Sequence, residues 1–186
     1  MTRRNNSYKF VIIFILIICG LMIPTRDSFA SSSTIIGFII EASQMEGTMM
    51  APSMIVGDTT EQKDRPMLGL KFENLSVDGL MIKKLVKTPN GIVTIGMTPK
   101  ETVHFDNLNL SVTNAVFTES YPPANGNIGL KDVKLLAHNV STDNSNLPQF
   151  KLSINQGGQV ELDPKSEAEL IEMKLFLDGL LTLKQP

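Results

Sequence analysis

Tryptophan is absent from this 186-residue sequence, and tyrosine occurs only at Tyr8 and Tyr121. Flat aromatic platforms for sugars or single-stranded nucleic acid need more than that. The single cysteine, Cys19, falls inside an uncharged apolar run from Phe10 to Ile23. His104 and His138 are the only histidines. No Gly-x-Ser-x-Gly turn offers an activated serine, and no glycine-rich loop stands between a strand and a helix to cradle phosphate. No catalytic residue, cofactor or metal ligand is therefore expected.

The amino terminus carries a pattern of its own. Arg3, Arg4 and Lys9 precede the apolar run, Pro24 follows it, and Ser28 and Ala30 are small residues at the −3 and −1 positions of a cleavage site between Ala30 and Ser31. This is the layout of a secretory signal peptide. The alternative is an uncleaved membrane tether, but the run is about fourteen residues long where a span normally needs about 20. Cys19 follows Ile18, where a lipoprotein signal would want a small residue, so it is expected to leave with the peptide. Residues 31–186 then form one secreted or extracytoplasmic domain with no transmembrane segment. Lacking a thiol, that domain can have neither disulfides nor cysteine–zinc sites and must rely on its core. Thirteen basic residues against eighteen acidic ones give it a net charge of −5, which argues against nucleic acid and against docking on an anionic membrane.

What the chain does have is an odd beat. In "LKFENLSVDGLMIKKL" (70–85), Leu70 and Phe72 are followed by Leu75 and Val77, then by Leu80 and Ile82, then by Leu85. Each alternating pair is separated from the next by one polar residue too many for a plain strand. The pattern recurs as Val103-x-Phe105-x-x-Leu108-x-Leu110 and as Ile128-x-Leu130-x-x-Val133-x-Leu135, with a fainter echo in "LFLDGLL" (175–181). Asn74, Asp78 and Gly79 are poor helix formers and Val77 is β-branched, which disfavours a helix. Bulged strands with one apolar side fit the beat, as do the tight corners of a β-helix. Hairpin signals between the copies favour the bulges. They are Pro89-Asn90-Gly91, flanked by Leu85–Lys87 and Ile92–Thr94, and Gly157-Gly158, flanked by Phe150, Leu152 and Ile154 on one arm and Val160 and Leu162 on the other.

"STIIGFIIEA" (33–42) reads as an opening strand, and residues 56–67, 119–127 and 141–148 read as polar connections. One short helix is expected, capped by Asp163, with Pro164 at its first position and Glu167 and Glu169 in its first turn, ending near Met173 before a last strand or strand pair. The fold class is all-β: bulged, mostly antiparallel strands in a sandwich or open barrel, with one short C-terminal helix.

Four features invite a chemical reading. His104 and Asp106 share one face of a strand and could pair, although a solvent-facing polar row explains them as well. "TDNSN" (142–146) has calcium-loop residue types without the full ligand progression. Met45, Met49, Met50 and Met54 could fill a core, form an adaptable apolar surface or bind Cu(I). The one-sided strands could hold an apolar ligand or partner on a curved sheet. An apolar cavity of roughly 300 Å³ or more would favour that last reading, and close packing would favour a structural component of the cell surface or matrix. An unrecognised hydrolase built on His104 and Asp106 is a third class.

Residues 129–158 also resemble the end of an uncharacterised family of small secreted actinobacterial proteins. The likeness is carried by Val133, Ala137, Leu147, Pro148, Phe150, Lys151 and Leu152, in an alanine-containing strand, a Thr/Ser turn and a following "LP-x-Φ-K-L" strand. It implies a secreted β fold and assigns no functional residues.

Overall fold

The computed structural model describes residues 33–182 except Leu147 and Gln159. The expected signal peptide, the Ala30–Ser31 cleavage point and Cys19 lie outside the described residues. Ten strands and one helix follow in order: β1 (Thr34–Met49), β2 (Ser53–Gly57), β3 (Arg65–Asp78), β4 (Met81–Thr88), β5 (Gly91–Pro99), β6 (Val103–Val116), β7 (Glu119–Tyr121), β8 (Ile128–Ser141), β9 (Asn144–Asn146), β10 (Phe150–Gln156) and α1 (Glu167–Thr182). Among the described residues every strand pairing is antiparallel. That excludes the stacked parallel strands of a β-helix.

The beat marks the strands that close on themselves. β1 pairs with β3, β3 with β6, β6 with β8, and β8 returns to β1, making a ring. In β3 the buried positions run Leu70, Phe72, Leu75, Val77, with Glu73 and Asn74 both exposed at the slip. β6 slips at Asp106–Asn107 and β8 at Lys131–Asp132. β1 slips too, at Ser43–Gln44, between buried Ile40 and Ala42 on one side and Met45 on the other. The slips face each other in pairs: Asn74 lies opposite Asp106, and Gln44 opposite Lys131. Asn107 and Asp132 take the left-handed conformation there, at φ 52° and 49°, a region that Asn and Asp tolerate better than other side chains do. Every apolar pair thus stays on the inner side as the strands bend.

The third beat of the opening stretch has a different cause. The chain leaves β3 at Asp78, turns through Gly79 (φ 62°) and Leu80, and runs on as β4 along the same edge of β1. β4 and β5 pair without a register shift, so Ile82 and Leu85 point to opposite sides. Leu85 belongs to a second, smaller core with Ile39 and Leu136, on the outer side of the sheet. β4, β5 and β10 form a wing that extends from β1 beyond the ring. The β4–β5 hairpin turns at Pro89-Asn90 as the sequence suggests, and Gly91 takes the positive φ (115°) that closes it.

Two expectations are corrected. Val160 and Leu162 do not form a hairpin arm with β10; β10 pairs with β5 instead. After Gly157, whose N–H bonds Ile92 O at 2.7 Å, the chain becomes a strap across the outer side, and Val160 and Leu162 cover Ile39, Leu85 and Leu136. The helix neither starts at an Asp163 cap nor gives way to a strand at Met173. Ser166 caps it reciprocally: its N–H donates to Glu169 Oε2 at 2.9 Å and its Oγ accepts from Glu169 N at 3.4 Å. The helix then runs through "LFLDGLL" because Leu170, Met173, Leu177 and Leu181 recur at helical spacing. Leu170 and Leu177 are buried in the main core, and Phe176 rests against Phe117 at the Val116 end of β6.

This placement predicts opposite outcomes for two neighbours. Leu177→Ala should cost about 2–5 kcal/mol in urea denaturation. Leu175→Ala, at a side chain 63% exposed, should stay within about 0.5 kcal/mol.

Candidate functional site

The ring interior is packed. Ile40, Met45, Leu75, Val77, Phe105 and Val140 are among the side chains lining an apolar cavity of about 30 Å³ at the Val77 end of β3, away from the helix. That is space for water-sized molecules and far below the ~300 Å³ of a ligand pocket. This cavity is thus too small for a ligand, and exposed apolar side chains stand on the wing, at Phe150, Leu152 and Ile154, as well as on the helix, at Ile171, Leu175 and Phe176.

Register places the surface on the wing. Leu152 lies beside Met97, Met97 beside Ile82, and Ile82 beside Ile40, whose side chain enters the ring core. The next row runs Ile154, Ile95, Lys84, Phe38. The inner side of the ring thus continues without a break onto the wing. At its outer margin Phe150, Leu152 and Ile154 are 48%, 57% and 67% exposed. Lys84 is the single charge in these two rows, half-buried, and its ammonium group makes no ion pair or hydrogen bond among the described residues. The reverse side of the wing carries Lys83, Thr94, Lys151 and Ser153, together with the small outer core.

The strap fixes the wing's angle to the ring. Glu161 accepts from Lys83 Nζ on β4 at 2.8 Å and from Lys134 Nζ on β8, and both ammonium groups also meet Glu41 on β1. Lys134 first and Lys83 second hold the Glu161 carboxyl down to about 2, and Glu161 in turn is the largest cause of the raised pKa of both lysines.

The residues singled out in the sequence fall apart as a site. His104 and Asp106 do not meet. His104 Nδ1 lies 2.9 Å from Ser76 Oγ, its cross-strand neighbour, and Asp106 accepts from Asn144 Nδ2 at 3.4 Å. All four belong to an exposed polar row, and none of them lines the wing or the cavities. "TDNSN" is a turn leading into the short strand β9, tied to β6 at its slip: Thr142 Oγ1 donates to Asp106 O at 2.7 Å, and Asp143 accepts from Asn107 Nδ2 at 2.8 Å. The methionines divide, with Met45 and Met49 buried, Met54 half-buried and Met50 exposed. Among the described residues no cluster of three or more His, Asp or Glu side chains could hold a metal ion. Tyr121 lies against Gly129, where an added Cβ would come within 2.6 Å of its ring, and its hydroxyl donates to Glu46 at 2.7 Å. Burial first, and then that bond, push its pKa up to about 12.

His138, to which the sequence assigns no partner, finds one in the fold. It is the extra residue of β8 opposite β6, and Thr113 is the extra residue of β6. The two meet at 2.9 Å through His138 Nε2 and Thr113 Oγ1, while His138 Nδ1 lies 3.2 Å from Ile36 O. A neutral ring protonated at Nδ1 satisfies both contacts: it donates to Ile36 O and accepts from Thr113. Burial lowers the imidazole pKa. The ring lines a cavity of about 100 Å³ with Glu61, Arg65, Val160 and Asp163, under the strap. The two polar residues interrupting the apolar alternation of β6 and β8 were the available signal.

No family model matches the chain, and no curated protein and no solved structure matches it.

The pH dependence follows from the signs. The unfolded His138 takes up a proton near 6.5 and the folded one resists it, so acidification through that value favours the unfolded chain. Stability measured by urea should fall between about pH 7 and pH 5, and should fall less in His138→Gln. The Glu161 bridges are fully present above the ordinary carboxylate range and are lost as pH drops toward about 2, so Glu161→Gln should flatten only that acid limb.

Proposed function

We propose that the protein is exported and, without catalysing a reaction, holds an apolar ligand or partner against the open side of the wing. The observation that carries this reading is the exposure of Phe150, Leu152 and Ile154 in a surface continuous with the core. A folded chain ordinarily keeps such side chains in contact with something. The packed ring directs the partner to the wing rather than to an interior pocket, and Lys84 offers one cation among the apolar rows for a single anionic group. Among the described residues no helix is long and apolar enough to cross a membrane. Export is supported by the residue pattern over 1–30, and the resemblance over residues 129–158 points the same way. The close packing of the ring also supports a second reading, a structural component of the cell surface or matrix.

Titration with a dansylated fatty acid tests the binding surface. Saturable uptake is expected, and Leu152→Asp should weaken it about tenfold or more, the equivalent of losing one buried leucine. Ile171→Asp, at an exposed apolar position on the helix, should leave it unchanged. Uptake that never saturates, or that responds equally to both substitutions, would overturn this reading. Intact-mass measurement of the protein released by its producing cells should place its first residue at Ser31, and recovery of only the full-length chain would refute export by cleavage.

A further inference from the structure

β10 is the outermost strand of the wing, and its free edge has few of the usual protections. It is seven residues long, regular, and bonded to β5 along its whole length. Among the described residues nothing pairs with its other side, so alternate backbone N–H and C=O groups point outward there. Edges of this kind are normally kept short, charged or interrupted by proline, because they otherwise recruit another strand. The opposite end of the sheet follows that rule: β7 has three residues, and its Glu119 is paired with Lys131 at 2.9 Å. In β10 the only charge is Lys151, on the polar side.

We propose that this edge pairs with the same edge of a second copy of the chain, antiparallel about a two-fold axis at Ser153. Self-pairing of "FKLSINQ" (150–156) has one register that uses the entire strand. Ser153 is its midpoint, so Phe150 then faces Gln156 of the second copy, Lys151 faces Asn155, and Leu152 faces Ile154. Leu152 and Ile154 meet on one side, with Phe150 beside Gln156 at its ends; the other side is polar throughout, and no like charges oppose. A one-residue shift centred on Leu152 brings Gln156 opposite Pro148, which has no N–H to donate, and a shift centred on Lys151 sets two ammonium groups face to face. The contact is isologous and closes as a dimer. It gives Leu152 and Ile154 cross-strand neighbours on their free side as well as on the β5 side, and it joins the two wings into a single sheet. It uses the edge of the wing and not its open side, so it stands or falls separately from the ligand reading.

Sedimentation of the processed protein over a range of concentrations tests the pairing, with circular dichroism to verify folding of each variant. A reversible dimer at micromolar concentration is expected. Asn155→Lys sets a second ammonium group against Lys151 of the other copy, twice per dimer, and should weaken association about fivefold or more. Asn155→Glu makes two opposite-charge pairs and should strengthen it. Adding Lys151→Glu to Asn155→Lys restores opposite charges in this register and should recover the dimer. A protein that remains monomeric at several hundred micromolar would overturn the proposal. So would a dimer whose affinity ignores the charge at position 155, or one that the double substitution fails to restore.

Discussion

A ring of so few strands has to bend sharply, and a bent strand cannot keep a strict alternation of side chains on one side for its whole length. This constraint accounts for most of the molecule. Each of β1, β3, β6 and β8 gives up a residue of phase at a pair of polar positions, and β6 and β8 give up another at Thr113 and His138. Asn107 and Asp132 absorb the backbone distortion in the left-handed region, which a β-branched residue would resist at a cost of about 1–2 kcal/mol. With the slips in facing pairs, β3 and β6 keep their register across them, as do β1 and β8, while β1 and β3 shift register at Thr48–Met49; the apolar rows on either side meet in one interior.

β1 links the two halves of the fold. One edge carries β8 along most of its length, while the other carries β4 first and β3 afterwards. The strand is therefore shared by the closed ring and the open wing, and its side chains serve a core on each side: Ile40 and Ala42 within the ring, Ile39 beneath the strap. The strap's ion pairs then fasten β4 to β8 across β1, so that ring and wing are held as one body on the outer side as well as through the backbone.

Much of this was legible in the residues. Three of the four slips stand out because large hydrophobes flank them. The fourth, in β1, is concealed by Ala42 and Gly47, which occupy inner positions without looking apolar. The β4–β5 turn was legible because Asn-Gly chemistry is local. The second half of the helix was not, because Leu175 and Phe176, both exposed, fill the gaps between Leu170, Met173, Leu177 and Leu181 and blur the helical stripe into an unbroken apolar run. The fate of Phe150, Leu152 and Ile154 could not be read at all. An alternating strand that is buried and one that is left open have the same pattern, and the difference lies in whether distant chain arrives to cover it. The strap chose the outer side. His138 and Thr113 went unseen for a related reason, since their meeting depends on two bulges 25 residues apart coming into register across β6 and β8.

The junction at Gly79–Leu80 gives the spacing between β3 and β4 unusual leverage. Because side chains alternate strictly along β4, losing a single residue between Asp78 and Met81 would reverse every position beyond it. Lys83 and Leu85 would take the places of Ile82 and Lys84, and the wing would turn its greasy surface toward the strap. The length of this short connector therefore decides which way the wing looks.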